Sequence, residues 1–138
     1  MGRTAHSLAV LEAFEEWLSR AREENLTTPI LVEGRRDREA LRSLGFEGEI
    51  VLLNQGHSIL FVVREISRMH GRVIVLTDWD AKGNRLAALV VRACRANTIE
   101  ADMTLRLELM NIVKKDASTV EALDTLYERL RRVAEGHR

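Results

Sequence analysis

The chain has little of several things that proteins use to bind or to brace themselves. There is one cysteine, Cys94, so no internal disulfide can form and no thiolate zinc cluster can be built. There is one proline and only eight glycines, which leaves little room for linkers, and no repeat or low-complexity tract is visible. Two Trp, one Tyr and three Phe are too few for an obvious base-stacking platform. There is no net charge, because 21 Lys and Arg offset 21 Asp and Glu. That excludes a polybasic binder working by bulk positive charge, though not local phosphate contacts. No apolar run approaches the roughly 20 residues of a membrane span; Leu86 to Val91 is among the longest. Glu15 and Glu16 stand where a signal peptide would be apolar, so a cytoplasmic protein is expected.

What remains is 138 residues, 46% hydrophobic and 30% charged, enough for one domain with a substantial core. Residues 7–25 predict a helix, with Leu8, Leu11, Phe14, Leu18 and Ala21 on one stripe and Ser7 as N-cap. Three similar units follow. Apolar runs at 30–32, 50–53 and 73–76 are each followed by a helical pattern, at 36–44, 58–69 and 84–95. Continuous apolar strands alternating with helices imply a parallel sheet covered on both faces. A weaker strand is expected near 98–101, and helices over 103–114 and 118–134, the last with Ser118 and Glu121 at capping-box spacing. The stripe Leu123, Leu126, Tyr127, Leu130 reads as core, as does Cys94.

In such sheets, sites gather beyond the carboxyl ends of the strands. All three ends here are polar and contain glycine: Glu33-Gly34, then Asn54-Gln55-Gly56-His57-Ser58, then Asp78-Trp79-Asp80-Ala81-Lys82-Gly83. Carboxylates converging at one edge repel unless a cation or protons intervene. Oxygen-only donors suit Mg²⁺ or Mn²⁺, and Mg²⁺ commonly meets substrate phosphate. The alternative is that each acid is a turn former or helix cap. The DxDxxG segment is not an EF-hand, since Lys82 and Leu89 would fall at liganding positions. No P-loop and no GxGxxG is present.

Glu-Gly after a first strand, Gly-His after a second and DxDxxG after a third, in that order, resemble the Toprim domain. That domain occurs in type IA and type II topoisomerases, bacterial primases, OLD-type nucleases, RecR recombination mediators and ribosomal-RNA-maturing nucleases. The likeness covers about residues 28–103, and the VEGRRD, LNQGHS and LTDWDAKGN segments look most like the small stand-alone Toprim proteins of archaea and bacteria. It implies an α/β, Rossmann-like fold with a mostly parallel sheet of about four strands and helices on both faces. An N-terminal helix (1–27) would stand beside a Toprim unit (28–138), together one globular body.

The resemblance also implies roles. Glu33 matches the family's general acid/base glutamate, and Glu33, Asp78 and Asp80 its Mg²⁺ site. Gly34, Gly56 and Gly83 match turn glycines near phosphate. His57 and Lys82 are candidates for catalysis or phosphate binding. Arg35, Arg38 and Arg42, spaced to share one helical face, and Arg85 are candidates for nucleic-acid contacts, against the plainer reading of a solvated surface suggested by Asp37 and Glu39. Asp102, Lys114 and Glu121 lie where small Toprim proteins carry polar residues. Trp79 stands where the nuclease branch often has Pro. A topoisomerase needs a nucleophilic tyrosine, and Tyr127 sits on a core stripe; a primase needs more chain. Two readings are left: a metal-dependent nuclease acting on RNA or DNA, and a non-catalytic nucleic-acid-binding module of a larger complex.

Overall fold

The computed structural model describes residues 2–136. Helix α1 (Arg3–Asn25) leads into strand β1 (Ile30–Val32), α2 (Arg35–Ser43), β2 (Ile50–Leu52), α3 (Ile59–Ser67), β3 (Arg72–Val75), α4 (Ala81–Ala96) and β4 (Glu100–Asp102). Then come α5 (Thr104–Val113), a single 3-10 turn (Val120–Ala122) and α6 (Leu123–Gly136). All four strands are parallel, in the order β2-β1-β3-β4. The expected α/β architecture is present, and β1 and β3 are adjacent, as a shared Glu33–Asp78 edge requires.

The strands are short and apolar because both faces are covered, and their side chains divide by the two-residue period. Ile30, Val32, Ile74 and Leu76 pack under α1, α2, α5 and α6, together with Phe14, Trp17 and Leu109. Leu31, Val73 and Val75 pack under α3 and α4, with Val63, Val90 and Cys94. Trp17 is fully buried, and its indole N–H donates to the Leu105 carbonyl at 2.8 Å, which ties α1 to α5. Asn25 is buried at the α1–β1 junction; it donates to Thr28 and Glu49 carbonyls and accepts from Gly48 N–H. A Cβ on Gly48 would lie 1.8 Å from the Asn25 carbonyl oxygen, so this approach needs glycine.

Two predicted caps are corrected. Ser7 is buried within α1, which begins at Arg3 behind Gly2. Ser118 caps nothing: Thr119 precedes the 3-10 turn, and the Ser118 carbonyl is taken by the Trp79 N–H. Helix α4 starts three residues earlier than its apolar periodicity indicates, because Asp80 caps it by accepting from Gly83 N–H.

Candidate metal centre

At the carboxyl edge of the sheet, β1 delivers Glu33 and β3 delivers Asp78 and Asp80. One carboxylate oxygen from each lies within 4.8 Å of the others. Each of these carboxylates is also anchored through one oxygen to a backbone N–H. Glu33 Oε2 accepts from Asp78 N (2.8 Å), Asp78 Oδ1 from Val120 N (2.8 Å) and Asp80 Oδ1 from Gly83 N (2.7 Å). The second oxygen of each accepts no hydrogen bond among the described residues. Three anchored carboxylates, each with a spare oxygen, form a hard-oxygen donor set that fits Mg²⁺ or Mn²⁺ and leaves room for water or phosphate.

The electrostatics support that fit. Burial, opposed by the Val120 N–H but reinforced by Asp37, Glu33 and Asp80, pushes the Asp78 carboxyl up to about 7. A divalent cation beside the carboxylate would favour its charged form and so oppose this shift. Asp37, which the sequence suggests is solvated surface, is buried; its Oδ2 accepts from Gly34 N at 2.9 Å, and burial raises its proton affinity above the ordinary carboxylate value.

Beneath the cluster lies Arg106, which sequence reasoning missed. It is 5% exposed. Its Nε donates to the Thr77 carbonyl (2.9 Å), and Nη2 to the Asp78 carbonyl (2.6 Å) and Asn84 Oδ1 (2.7 Å). Burial lowers its pKa, while Asp78, Glu33 and Asp80 favour its charge. The signal was available: Arg106 stands three residues before Leu109 and seven before Val113, on the buried stripe of α5. The segment after α5 acts as a strap. Trp79 is buried, its Nε1 donates to the Ala117 carbonyl (2.8 Å) and its N–H to that of Ser118 (3.1 Å), beside the Val120–Asp78 bond.

The predicted residues distribute unevenly. Lys82 Nζ lies 3.8 Å from Glu33 Oε1, and both face a cleft of about 690 Å³ that Gly34, Arg35, Asn54, Asp78 and Glu121 also line, with Arg36, which was not singled out. His57 is not part of this cleft. It stacks on Phe61 (4.4 Å between centroids) and borders a separate hollow with Arg38. Arg42 holds the turn after α2, donating to the Phe46 and Gly48 carbonyls at 2.8 Å. Asp102 pairs with Arg72 on the sheet. Arg85 and Lys114 are exposed. Gly56 has φ +79, and a Cβ on Gly83 would sit 1.9 Å from the Asp78 carbonyl oxygen, so both positions demand glycine. Gly34 has ordinary extended backbone, and its Cβ would enter open space in the cleft. It is therefore no tight-turn glycine.

A model of the Toprim domain matches residues 28–112. The UPF0292 protein of Thermococcus onnurineus is 37% identical over 90% of both chains. That of Thermoplasma volcanium is 39% identical over 81% of this chain and 92% of its own, and that of Pyrococcus furiosus 39% over 87% and 88%. A protein of Aquifex aeolicus of known structure superposes with TM-score 0.66 at 25% identity, covering 78% of this chain and 94% of that one. No helix among the described residues is long and apolar enough to cross a membrane. Domains of the matching family serve metal-dependent nucleic-acid processing in general, and this chain carries an acidic cluster that could hold a metal ion. The chain belongs to the Toprim family.

Proposed function

We propose that the protein is a Mg²⁺-dependent phosphodiester-processing enzyme that cleaves RNA or DNA. The observation that carries this reading is the convergence of Glu33, Asp78 and Asp80 within 4.8 Å, with Lys82 at their rim and one spare oxygen on each carboxylate. A divalent cation held by the spare oxygens of Asp78 and Asp80 would neutralise charge on the scissile phosphate and the leaving oxygen, with Glu33 Oε1 beside it left for the proton. Lys82 orients the phosphate, and to do so it leaves its loose pairing with Glu33 Oε1. That frees Glu33 Oε1 to hold or deliver the proton. Arg35 and Arg36, exposed at the start of α2, bind neighbouring phosphates. Gly34 admits the strand to within backbone distance of Glu33.

The test is cleavage of end-labelled single- and double-stranded RNA and DNA with Mg²⁺ or Mn²⁺, comparing wild type with Glu33→Gln and Asp78→Asn/Asp80→Asn. Wild type cuts at least one substrate, Glu33→Gln binds without cutting, and the double variant loses metal dependence together with turnover. Binding without cleavage by wild type in either metal would overturn the enzyme reading. The second reading would then stand: a nucleic-acid-binding module working within a larger complex. The zero net charge and the lack of aromatic side chains in the cleft lining among the described residues favour this reading, or an enzyme assisted by a partner, because either leaves part of the nucleic-acid contact to another protein.

A further inference from the structure

Helix α4 is the most one-sided charged element in this electrically neutral chain. Its sixteen residues carry Lys82, Arg85, Arg92 and Arg95 and no carboxylate. At 100° per residue, Lys82, Arg85, Leu89 and Arg92 fall on one stripe less than a quarter-turn wide. All four are exposed. Among the described residues Arg85 and Arg92 have no acidic partner within salt-bridge distance, whereas Arg20, Arg68, Arg72, Arg129 and Arg131 each have at least one. The stripe borders α3. Leu60, 51% exposed, and Leu89, 45% exposed, line a shallow hollow with Arg92. One turn beyond Leu60 is Arg64, which also lacks an acidic partner and lies over the Phe61 ring at 5.9 Å. Leaving arginines unpaired on one face of a neutral protein costs nothing in water, but it contributes nothing to the fold either.

We propose that the α4 stripe, Lys82–Arg85–Arg92 with Arg64 beside it, is the track on which the nucleic-acid backbone lies as it leads to the acidic centre. This inference rests on the reading of that centre as a phosphodiester site. Its separate support is continuity. The stripe begins at Lys82, whose ammonium is 3.8 Å from Glu33, and runs away from the centre along α4. From Lys82 to Arg92 the helix rises about 15 Å. That is the axial rise of roughly four nucleotides of one duplex strand, so several phosphates flanking the reacting one fall within arginine reach. An acidic protein docking on Leu60 and Leu89 is the competing occupant. The stripe favours nucleic acid because its cations line up with the site; Leu89 stands among them on the same face, and Leu60 lies to one side on α3.

The experiment measures affinity of the full chain for fluorescent 20-nucleotide single- and double-stranded RNA and DNA, with Mg²⁺ and with chelator, across a salt series. The variants are Arg85→Gln/Arg92→Gln, Leu60→Ser/Leu89→Ser and Asp78→Asn/Asp80→Asn. All the arginine and leucine changes are at exposed positions, and a thermal melt verifies folding. Losing two phosphate contacts lowers the log–log salt slope by about 1.4 to 1.8 and weakens binding roughly 25- to 60-fold at 0.1 M salt. The leucine pair leaves slope and affinity within twofold of wild type. Wild-type binding with an unchanged slope in the arginine variant would overturn the track and leave the acidic centre untouched. Loss of binding in the leucine variant alone would overturn it in favour of an apolar contact. If the arginine effect appears but no substrate is ever cut, the track stands and the cleavage reading falls. If wild type binds none of the four nucleic acids in either condition, both fall.

Discussion

Replacing Arg106 by Met should cost the protein more stability than any other single change near the site. The guanidinium is buried and satisfies three acceptors, the Thr77 and Asp78 carbonyls and Asn84 Oδ1. Methionine keeps most of the apolar stem and removes every donor. Each buried carbonyl left without a partner costs about 1–3 kcal/mol. The desolvation of the guanidinium, which the variant no longer suffers, offsets part of this. Removing the cation also leaves Glu33, Asp78 and Asp80 with less compensation. We expect a net loss of about 3–5 kcal/mol. For a chain of this size, about 1 kcal/mol moves the melting temperature by roughly 3–4 °C, so the midpoint falls by about 9–20 °C. Arg106→Lys retains charge, but one ammonium cannot span three acceptors, and it recovers less than half of the loss. Thermal melts followed by circular dichroism in chelator, at pH 7, measure both. An Arg106→Met midpoint within 2 °C of wild type would refute the argument, since it would mean that these carbonyls find partners without the guanidinium.

Three further outcomes are expected. Gly83→Ala should destabilise by about 2–4 kcal/mol and abolish Mn²⁺ binding by calorimetry, because a Cβ 1.9 Å from the Asp78 carbonyl displaces the loop; a rise in melting temperature, as helix propensity alone would give, would contradict the close approach. Burial works to raise the Asp102 pKa, but Arg72 and the Thr104 N–H outweigh it and hold it below the ordinary value. Its stabilisation is therefore complete above about pH 4 and lost as pH falls through the lower folded value, so Asp102→Asn should flatten the acid limb of a stability–pH curve. Asp78 has the opposite sign: held near 7 against an ordinary 3.8, it makes the metal-free protein lose stability as pH rises from about 4 to 7. The full displacement corresponds to about 4 kcal/mol, which solvent access reduces to about 1–2. At pH 8 in chelator Asp78→Asn should therefore melt higher than wild type, and Mg²⁺ should stabilise only the wild type.

The parts of the molecule legible in the sequence are those written by local pattern. Ile30–Val32, Ile50–Leu52 and Arg72–Val75 read as buried parallel strands because both faces are covered and their apolar runs are uninterrupted. Glu33, Asp78 and Asp80 were found because strand ends on one sheet edge converge whatever the helices do. The failures concern groups whose partners are distant in sequence. Ser118 has the spacing of a cap, but its carbonyl answers to Trp79, 39 residues earlier. Arg42 has the spacing of a phosphate contact, but two carbonyls of the next turn claim its guanidinium. Asp37 and Arg106 look like surface charges in a list of residues. They are buried because the cleft floor and the strand ends present backbone groups that need them.

These distant contacts explain how three carboxylates can crowd one edge of a small protein. Each is held by an N–H from a different structural source: the end of β3 for Glu33, the strap at Val120 for Asp78, and the first turn of α4 for Asp80. The helix end adds its own partial positive charge at Asp80, and Arg106 supplies a full one from below while gripping the backbone that carries Asp78. Lys82 adds a fourth favourable contact only loosely, at 3.8 Å and exposed to water. Together these offset much of the repulsion but not all of it; burial, reinforced by the repulsion that remains, leaves Asp78 with a proton affinity near neutrality. The fold thus anchors each carboxylate by a backbone N–H and leaves a residue of negative charge. A divalent cation is suited to neutralise that charge.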